Sequence, residues 1–261
     1  MLSWNSDQSL EEMCYKIDLV IHAAGMNSQD SASDPVAALE FNGLVTSRLV
    51  TAAIRSGVKR FIYLSTAHVY SSPLKGNITE NTFPRNLHPY ATSHMAGENF
   101  VLSANQSGKI EGIVTRLSNA FGSPVDKNAN CWTLLINDLC RQSVIKNQMI
   151  LNSSGLQTRN FISLFDVVRS IGHLSTLNKK DVGNGLFNVG GEWTATVLEV
   201  ASTIQKRCED ILGCKPKIVS PLPYKDETHT EFEYDIGMLK NSGFQLASKN
   251  NYEIDDLLRF C

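Results

Sequence analysis

The stretch HPYATSHMAGENF, residues 88–100, places Tyr90 four residues before His94 and then continues with Gly97 and Glu98. A tyrosine can give or take a proton, but a phenol with a pKa of about 10 is a poor base at neutral pH. A nearby cation favours the phenolate and lowers that pKa. Because residues four apart share a helix face, a lysine at position 94 would supply this charge together with three hydrogen-bond donors. This sequence has a histidine there.

His94 leaves two interpretations open. Neutral imidazole offers one donor, and with a pKa of about 6.5 it is mostly uncharged at pH 7. The ring could occupy the lysine position with a weaker effect on Tyr90, partly restored if it is held protonated. Alternatively, it could be an ordinary surface or pocket histidine on a helix. The residues around it favour the first interpretation.

Strands and helices must position these residues. Three short apolar runs, residues 18–25, 60–66 and 112–118, are typical of strands buried on both faces of a parallel sheet. A helix is predicted from about residue 90 to 103, after a proline- and glycine-containing loop over 71–89. This alternation predicts an α/β fold with right-handed connections.

A second helix is predicted over residues 34–57, between the first two strands. Asp34 is a suitable N-cap, Pro35 fits the first helical position and Gly57 fits the end. After residue 128 the pattern loosens. It predicts a helix at 131–146, a strand at 149–152, a strand leading into a helix at 159–174, and a strand at 185–191. A last helix is predicted at 196–213, where Thr196 and Glu199 form a capping box and Gly213 ends the helix.

Seven segments in order resemble the NAD-dependent sugar-nucleotide epimerases and dehydratases of the extended short-chain dehydrogenase/reductase family. The segments are IHAAG, YLSTAHVY, YATSHMAGE, TRLSNAFG, RNFISLFDV, LFNVGG and YDIGMLKNSGF. Together they cover about residues 14 to 245. The resemblance implies a Rossmann-like, doubly wound parallel sheet with a smaller C-terminal α/β region that binds the sugar nucleotide. We predict residues 1–127 for the first part and 128–261 for the second, interleaved with it.

The resemblance also implies roles for individual residues. Tyr90 would be the acid/base, Thr66 its hydroxyl partner and His94 the residue at the lysine position. NAD or NADP would be the cofactor, and a nucleotide sugar the substrate. Residues implied at the cofactor are Ala23, Ala24, Gly25, Asn42, Leu64 and Leu117; residues implied at the substrate are Asn119 and Arg159, whose guanidinium suits a diphosphate. Lys225 could replace a later phosphate-binding arginine, although a solvated lysine is the simpler interpretation.

The sequence departs from the family at the pyrophosphate site. The family begins with a strand, a G-x-x-G-x-x-G turn and a helix, and no such turn occurs in this sequence. We therefore expect the first strands of the sheet to be missing and NAD binding by this chain to be impaired. The run at 18–25 would then be an apolar sheet edge. Such an edge favours self-association, so we expect a homodimer or another oligomer, or poor solubility.

Composition excludes several other classes. The net charge of −2 gives no basic excess for nucleic acid, and no apolar run reaches the length of a membrane helix. The six cysteines and six histidines show no metal-site spacing. We therefore expect no metal, no nucleic acid and no membrane association. Because the N-terminus does not resemble a signal peptide, and free thiols are usual in a reducing compartment, we expect a cytoplasmic protein.

Three hypotheses for function remain. The first is an NAD-dependent epimerase or dehydratase represented by an N-terminally shortened chain, through a late start codon or a damaged gene. Ala67 and His68 follow Thr66 where dehydratases usually carry Asp-Glu, which favours a 4-epimerase. The second is a non-catalytic sugar-nucleotide-binding or interaction protein, consistent with His94. The third is an atypical relative used for regulation or RNA binding, against which the lack of basic excess argues.

Overall fold

The protein is described by a computed structural model that covers residue 4, residues 6–223 and residues 231–261. Its first part contains α1 (Asp7–Cys14), β1 (Leu19–His22), α2 (Ser28–Ser33), α3 (Pro35–Ala38), a π-helical segment (Leu39–Val45), α4 (Thr46–Arg55), β2 (Arg60–Thr66), a 3-10 turn (Ala67–Val69), β3 (Gly76–Ile78), α5 (Pro89–Gln106), β4 (Glu111–Leu117) and β5 (Asn119–Phe121).

The remainder of the described chain continues the alternation of helices and strands. It contains α6 (Leu135–Lys146), β6 (Gln148–Ile150), β7 (Thr158–Ser163), α7 (Leu164–Thr176), α8 (Lys179–Val182), β8 (Leu186–Val189), β9 (Trp193–Thr196), α9 (Val197–Leu212), β10 (Lys217–Val219), β11 (Phe232–Tyr234), α10 (Gly237–Asn241) and α11 (Asn250–Phe260).

The main sheet has four parallel strands in the order β1-β2-β4-β8. One face packs against α1, α4 and α5 around Phe61, Tyr63 and Val114. The other packs against α7, α8 and α10 around Ile62, Ile113 and Phe187. The α/β class and the parallel sheet predicted from the sequence are therefore confirmed.

Strand β1 forms one edge of this sheet, since in the described part of the chain it pairs only with β2. Strand β8, which follows residue 128, pairs with β4 and so joins the main sheet. A second core lies beneath β7 and β9, where α6, α9 and α11 pack together around Leu139, Val200 and Leu257. The boundary at residue 127 stays a prediction.

Capping explains where several helices begin and end. The Asp34 side chain accepts a hydrogen bond from the backbone N–H of Ala37, and Pro35 follows it. Gly57 adopts a φ of +77° just beyond α4. Thr196 and Glu199 form the reciprocal capping box of α9, and Gly213 ends that helix with a left-handed backbone. Each of these caps agrees with the sequence prediction.

The helix predicted over 34–57 differs from a regular α-helix in its middle. The segment Leu39–Val45 is π-helical and separates α3 from α4. Asn42 and Gly43 lie in this segment and are buried. Single π-helical turns within α-helices are frequent at functional sites because they displace side chains from the regular helical positions.

Candidate active site

Tyr90 and Thr66 are positioned by the ends of two neighbouring elements. Thr66 is the last residue of β2, and its hydroxyl accepts a hydrogen bond from the backbone N–H of His68 at 3.1 Å. Tyr90 lies in the first turn of α5, where Nδ1 of the N-cap residue His88 accepts from the Tyr90 N–H at 3.2 Å. Both side chains therefore start from fixed backbone at the carboxyl edge of the sheet.

The Tyr90 phenol is protonated at neutral pH in this environment. Burial raises the pKa of Tyr90, and a hydrogen bond with the Thr66 side chain opposes part of that rise. Thr66 is only 4% exposed, so little solvent competes for its hydroxyl. The pair can donate and relay a proton, but the phenol needs a further positive charge to act as a base at neutral pH.

His94 does not supply that charge. It is 4% exposed, which excludes the surface-histidine interpretation. Burial, together with a smaller contribution from the nearby His22 ring, lowers the pKa of His94 to about 4. This environment favours the neutral ring over the protonated one that would partly restore the effect of a lysine. The ring packs edge-on against Tyr90 with centroids 4.6 Å apart, and its Nδ1 lies 2.8 Å from the Tyr63 hydroxyl.

The small residues after β1 lie at the same edge. Ala23 and Gly25 are exposed and Ala24 is half-buried. A Cβ atom at Gly25 would lie 3.3 Å from the Asn42 side-chain oxygen and 3.7 Å from Nε2 of His94. The backbone of Gly25 therefore lies close to the His94 ring on one side, and residue 25 is exposed to solvent on the other.

Asn42 fixes the loop that carries these small residues. Its Oδ1 accepts from the Met26 N–H at 2.8 Å, and its Nδ2 donates to the Ser93 hydroxyl at 3.0 Å. The side chain is completely buried. Asn42 thus links the loop after β1 to α5, and its direct contact with a cofactor stays a prediction. Leu64 and Leu117 are half-buried on β2 and β4.

A cavity of about 440 Å³ brings Thr66, Tyr90, Asn119 and Arg159 together. Its wall also includes Asn27, Ser65, His68, Leu117, Ser118, Phe121, Leu135 and Phe161. The Asn119 amide donates to the backbone carbonyl of Asn160 at 2.9 Å, which fixes its plane. A second cavity of about 200 Å³ shares Arg159 with the first.

Arg159 is the cation of this cavity. Burial lowers its pKa, although a guanidinium stays charged at any physiological pH. Among the described residues, no carboxylate forms an ion pair with it. A half-buried guanidinium without a protein anion, placed between two cavities, is suited to an anionic ligand such as a diphosphate.

A comparison with protein families decides the identification. The model of the NAD dependent epimerase/dehydratase family matches residues 2–190. The chain belongs to this family. Among curated relatives, a dTDP-D-glucose 4,6-dehydratase of Mus musculus is 33% identical over 225 residues, which are 85% of this chain and 60% of that protein. A UDP-glucose 4-epimerase of Oryza sativa subsp. japonica is 25% identical over 73% of this chain and 56% of that protein.

Solved structures share the fold. The structure of RMD from Pseudomonas aeruginosa, complexed with NADPH, has a TM-score of 0.82 and 21% identity, covering 100% of this chain and 86% of that chain. At this identity the likeness shows the fold alone. The chain spans 60% of the length of the mouse relative and 56% of the rice relative.

The residues present suit one part of the family's dinucleotide, since small residues at 23–25 stand beside Nε2 of His94 and Ala23 and Gly25 are exposed, so that a nicotinamide ribose could approach the backbone there. The G-x-x-G-x-x-G turn that holds the pyrophosphate elsewhere in the family does not occur in this sequence. Lys225, considered above for phosphate, lies outside the described residues.

Sequence reasoning missed two partners of the candidate site. Tyr63 contacts His94 from 31 positions away, and only the three-dimensional fold reveals this. His22 was noted only as part of the IHAAG motif, yet its ring stacks on Tyr63 and its Nε2 lies 3.0 Å from the Thr46 hydroxyl.

His68 is a third residue that lies on the cavity wall. Burial lowers its pKa, as do the charges of Arg159 and His88. Its ring centroid lies 6.5 Å from that of Tyr90. The sequence signal was available, since His68 and Ala67 stand where dehydratases usually carry Asp-Glu.

A buried ion pair holds α5 against the sheet behind the cavity. Arg116 of β4 donates to both carboxylate oxygens of Glu98, at distances from 2.6 to 3.1 Å. The Ser65 hydroxyl donates to the same carboxylate. Burial alone would lower the pKa of Arg116, but the hydrogen bonds and charge of Glu98 outweigh it and raise that pKa. The Gly-Glu pair after His94 is therefore part of the support of the site.

Within the described residues, no helix is long and apolar enough to cross a membrane. The same residues contain no cluster of three or more His, Cys, Asp or Glu side chains arranged to hold a metal ion.

Proposed function

We propose that this chain binds a nucleotide sugar and supplies the proton-transfer residues of an NAD-dependent epimerase or dehydratase. The observation that carries the proposal is the single cavity lined by Thr66, Tyr90, Asn119 and Arg159. The hydroxyls of Thr66 and Tyr90, the amide of Asn119 and the guanidinium of Arg159 therefore face one space. Hydroxyls and an amide can hydrogen-bond the hydroxyl groups of a sugar, and a guanidinium can bind the negative charge of a diphosphate.

Each residue then has a defined task. Arg159 binds the diphosphate, and Asn119 contacts the nucleotide sugar next to it. The Thr66 hydroxyl hydrogen-bonds the sugar oxygen at the reacting carbon, and Tyr90 exchanges a proton with that oxygen. Bound NAD would supply the hydride acceptor for that carbon. Ser118 has a buried hydroxyl on the cavity wall with no hydrogen-bond partner in the described part of the protein, so it can also contact the ligand.

Among the reactions of the family, we favour 4-epimerisation. Dehydration needs an additional acid and base next to the reacting carbon, and Ala67 supplies neither. Ala67 is 2% exposed, so its methyl group packs into the core. His68 alone lines the cavity at that point. The mouse relative is named as a dehydratase and the rice relative as an epimerase, so the names of relatives support both reactions.

A second candidate is a nucleotide-sugar-binding protein without redox activity. The observation that favours it is the environment of Tyr90, whose pKa burial raises while the neighbouring His94 is neutral. A phenol without an adjacent cation is a weak base. The cavity with Arg159 would be retained in such a protein, because diphosphate binding does not depend on the ionisation of Tyr90.

Isothermal titration calorimetry with UDP-glucose, dTDP-glucose and NAD tests the proposal. We expect a nucleotide sugar to bind the wild-type chain and to bind Arg159→Gln about tenfold or more weakly, because a hydrogen-bonded charge contributes about 1.5–3 kcal/mol. Arg259→Gln is a matched control, since Arg259 is exposed on α11 and pairs with Asp256. No binding of either sugar, or equal affinities in Arg159→Gln and wild type, would overturn the proposal. Sugar binding without NAD binding would favour the second candidate.

The proposal includes a cytoplasmic location and a homo-oligomer. All six cysteines are free thiols, which suits a reducing compartment. The case for self-association rests on the open edge of β1.

A further inference from the structure

We propose that Tyr63 is a positioning residue that holds His94 as the tautomer with its hydrogen on Nε2, so that the ring presents a fixed donor beside Gly25. This inference rests on the proposed function for the identity of the ligand, a ribose hydroxyl of a dinucleotide. The assignment of the tautomer depends only on the structure of the protein.

His94 is held on two sides by aromatic rings. Tyr63 stacks against it with centroids 5.8 Å apart and an interplanar angle of 26°. Tyr90 packs edge-on at 4.6 Å and 72°. His22 stacks on Tyr63 at 5.4 Å. Because the ring is also buried, it has little freedom to turn, and its two nitrogens keep distinct surroundings.

The hydrogen-bond network decides which nitrogen carries the hydrogen. The Tyr63 hydroxyl lies 2.8 Å from Nδ1 of His94 and 3.4 Å from the backbone carbonyl of Asn42. That carbonyl also accepts from the Thr46 hydroxyl at 2.7 Å. The contact with Nδ1 is the shorter of the two that Tyr63 can make, so we assign the Tyr63 hydrogen to Nδ1. A neutral imidazole has one N–H, so the hydrogen must lie on Nε2.

Neutrality of the ring is part of this assignment. Burial lowers the pKa of both His94 and His22 to about 4, so neither is charged at pH 7. The phenols that face His94, Tyr63 and Tyr90, both have raised pKa values because they are buried, and they stay protonated. With both groups neutral, the contact between Tyr63 and Nδ1 is a hydrogen bond without proton transfer.

Nε2 is the atom that remains for a ligand. No residue of the described chain forms a hydrogen bond with it, although Nδ1 is satisfied by Tyr63. It lies beside Gly25, at 3.7 Å from where a Cβ would stand, and residue 25 is exposed. An N–H in this position needs an acceptor, which a ribose hydroxyl oxygen supplies. The other tautomer would present a lone pair there and would select a different partner.

Nitrogen-15 NMR of protein labelled in histidine measures the tautomer directly. At pH 7 we expect the His94 signals, assigned by their loss in His94→Gln, to show a protonated Nε2 and an unprotonated Nδ1 that accepts a hydrogen bond. This measurement needs no variant beyond the assignment. A hydrogen on Nδ1, or on both nitrogens, would overturn the inference.

Tyr63→Phe keeps the stacked ring and removes only the donor. We expect the two nitrogen shifts of His94 to move toward each other in this variant, because both tautomers become populated. Tyr70→Phe is the matched control: its buried hydroxyl donates to Asn188 and does not touch His94. The His94 shifts should be the same in Tyr70→Phe as in wild type. Unchanged shifts in Tyr63→Phe would show that Tyr63 has only a packing role.

Titration with NAD tests the ligand. We expect NAD to shift the Nε2 signal of the wild type, and to bind Tyr63→Phe about threefold to tenfold more weakly than Tyr70→Phe, as one neutral hydrogen bond allows. Equal affinities in the two variants would overturn the positioning role. If NAD does not bind the wild type, the ribose acceptor fails, whereas titration with a nucleotide sugar still tests the proposed function and the NMR result still decides the tautomer.

Discussion

At the scale of single residues, the site pairs a protonated phenol with a neutral imidazole. Burial shifts both pKa values in the direction that removes charge, since the phenol stays protonated and the ring stays unprotonated. Tyr90 therefore lacks the adjacent cation that would lower its pKa. The sequence predicts this weakness from the histidine at position 94, but it could not show that the ring is also shielded from solvent.

His94→Lys should lower the pKa of Tyr90 by about one unit or more, because an opposite charge within about 4–6 Å of a titrating group has an effect of that size. Titration of carbon-13-labelled tyrosine by NMR would measure it. Thr92→Lys is the control, since Thr92 is exposed on the same helix and should leave Tyr90 unchanged. A Tyr90 pKa that is equal in wild type and His94→Lys would mean that another group controls the phenol.

The buried histidines should make folding stability depend on pH. Their pKa values are about 4 in the folded protein and 6.5 in the unfolded chain, so the unfolded chain binds protons first as the pH falls. The stability present above pH 6.5 is therefore lost progressively toward pH 4. Between pH 7 and 5, His94→Gln should lose about 2 kcal/mol less unfolding free energy than wild type, measured by urea denaturation. If the unfolding free energy of both proteins fell equally between pH 7 and 5, His94 would not be a buried, neutral ring in the folded protein.

At the scale of elements, the site depends on how closely α5 approaches the π-helical segment. Gly97 makes this approach possible, because a Cβ there would lie 2.7 Å from the Asn42 carbonyl and 3.0 Å from the Tyr63 hydroxyl. Gly43 faces α5 in the same contact, where a Cβ would lie 3.2 Å from the Ala96 side chain. The two helices can then share the Asn42–Ser93 hydrogen bond.

Gly97→Ala should destabilise the protein by about 1–3 kcal/mol, the usual effect of overpacking, and should shift the His94 and Tyr63 signals. Gly172→Ala is a matched control in α7, where an added Cβ meets nothing within 4 Å. That variant should be as stable as wild type or up to about 1 kcal/mol more stable, because alanine favours a helix over glycine. Thermal and urea unfolding would compare them, and equal stabilities of the two variants would contradict the close contact.

The sequence predicted elements best where the signal was local. The caps at Asp34, Thr196 and Gly213 and the strand over 60–66 agree with the structure because each depends on neighbouring residues. The loop predicted over 71–89 contains a short strand, β3, which forms only because β11 pairs with it from more than 150 residues away. The link between Tyr63 and His94 was missed for the same reason, and so was the π-helical segment, whose residues have ordinary helical patterning.

At the scale of the whole molecule, the edge of the main sheet is the feature with the widest consequences. Strand β1 has β2 on one side and, in the described residues, no strand on the other. Ile21 of this strand is 46% exposed. An open apolar strand readily pairs with another chain. The open edge of β1 therefore supports self-association, which stays a prediction.

Ile21→Lys should shift the chain toward the monomer, because a lysine on an edge strand opposes pairing with a second strand. Size-exclusion chromatography with light scattering would measure the mass of each species. Ile145→Lys is the control, since Ile145 is 60% exposed on α6, outside the main sheet. A stable wild-type monomer, or the same distribution in both variants, would show that this edge does not mediate association.

The π-helical segment Leu39–Val45 determines how α3 is rotated about the helix axis relative to α4. An α-helix turns by about 100° per residue, so removing one residue there would rotate α3 by about that angle relative to α4. The helix could still form, but Asn42 would no longer face the Met26 backbone, and the strip of small residues after β1 would lose its anchor. The number of residues in this segment, as much as their identity, therefore determines where the edge of the pocket stands.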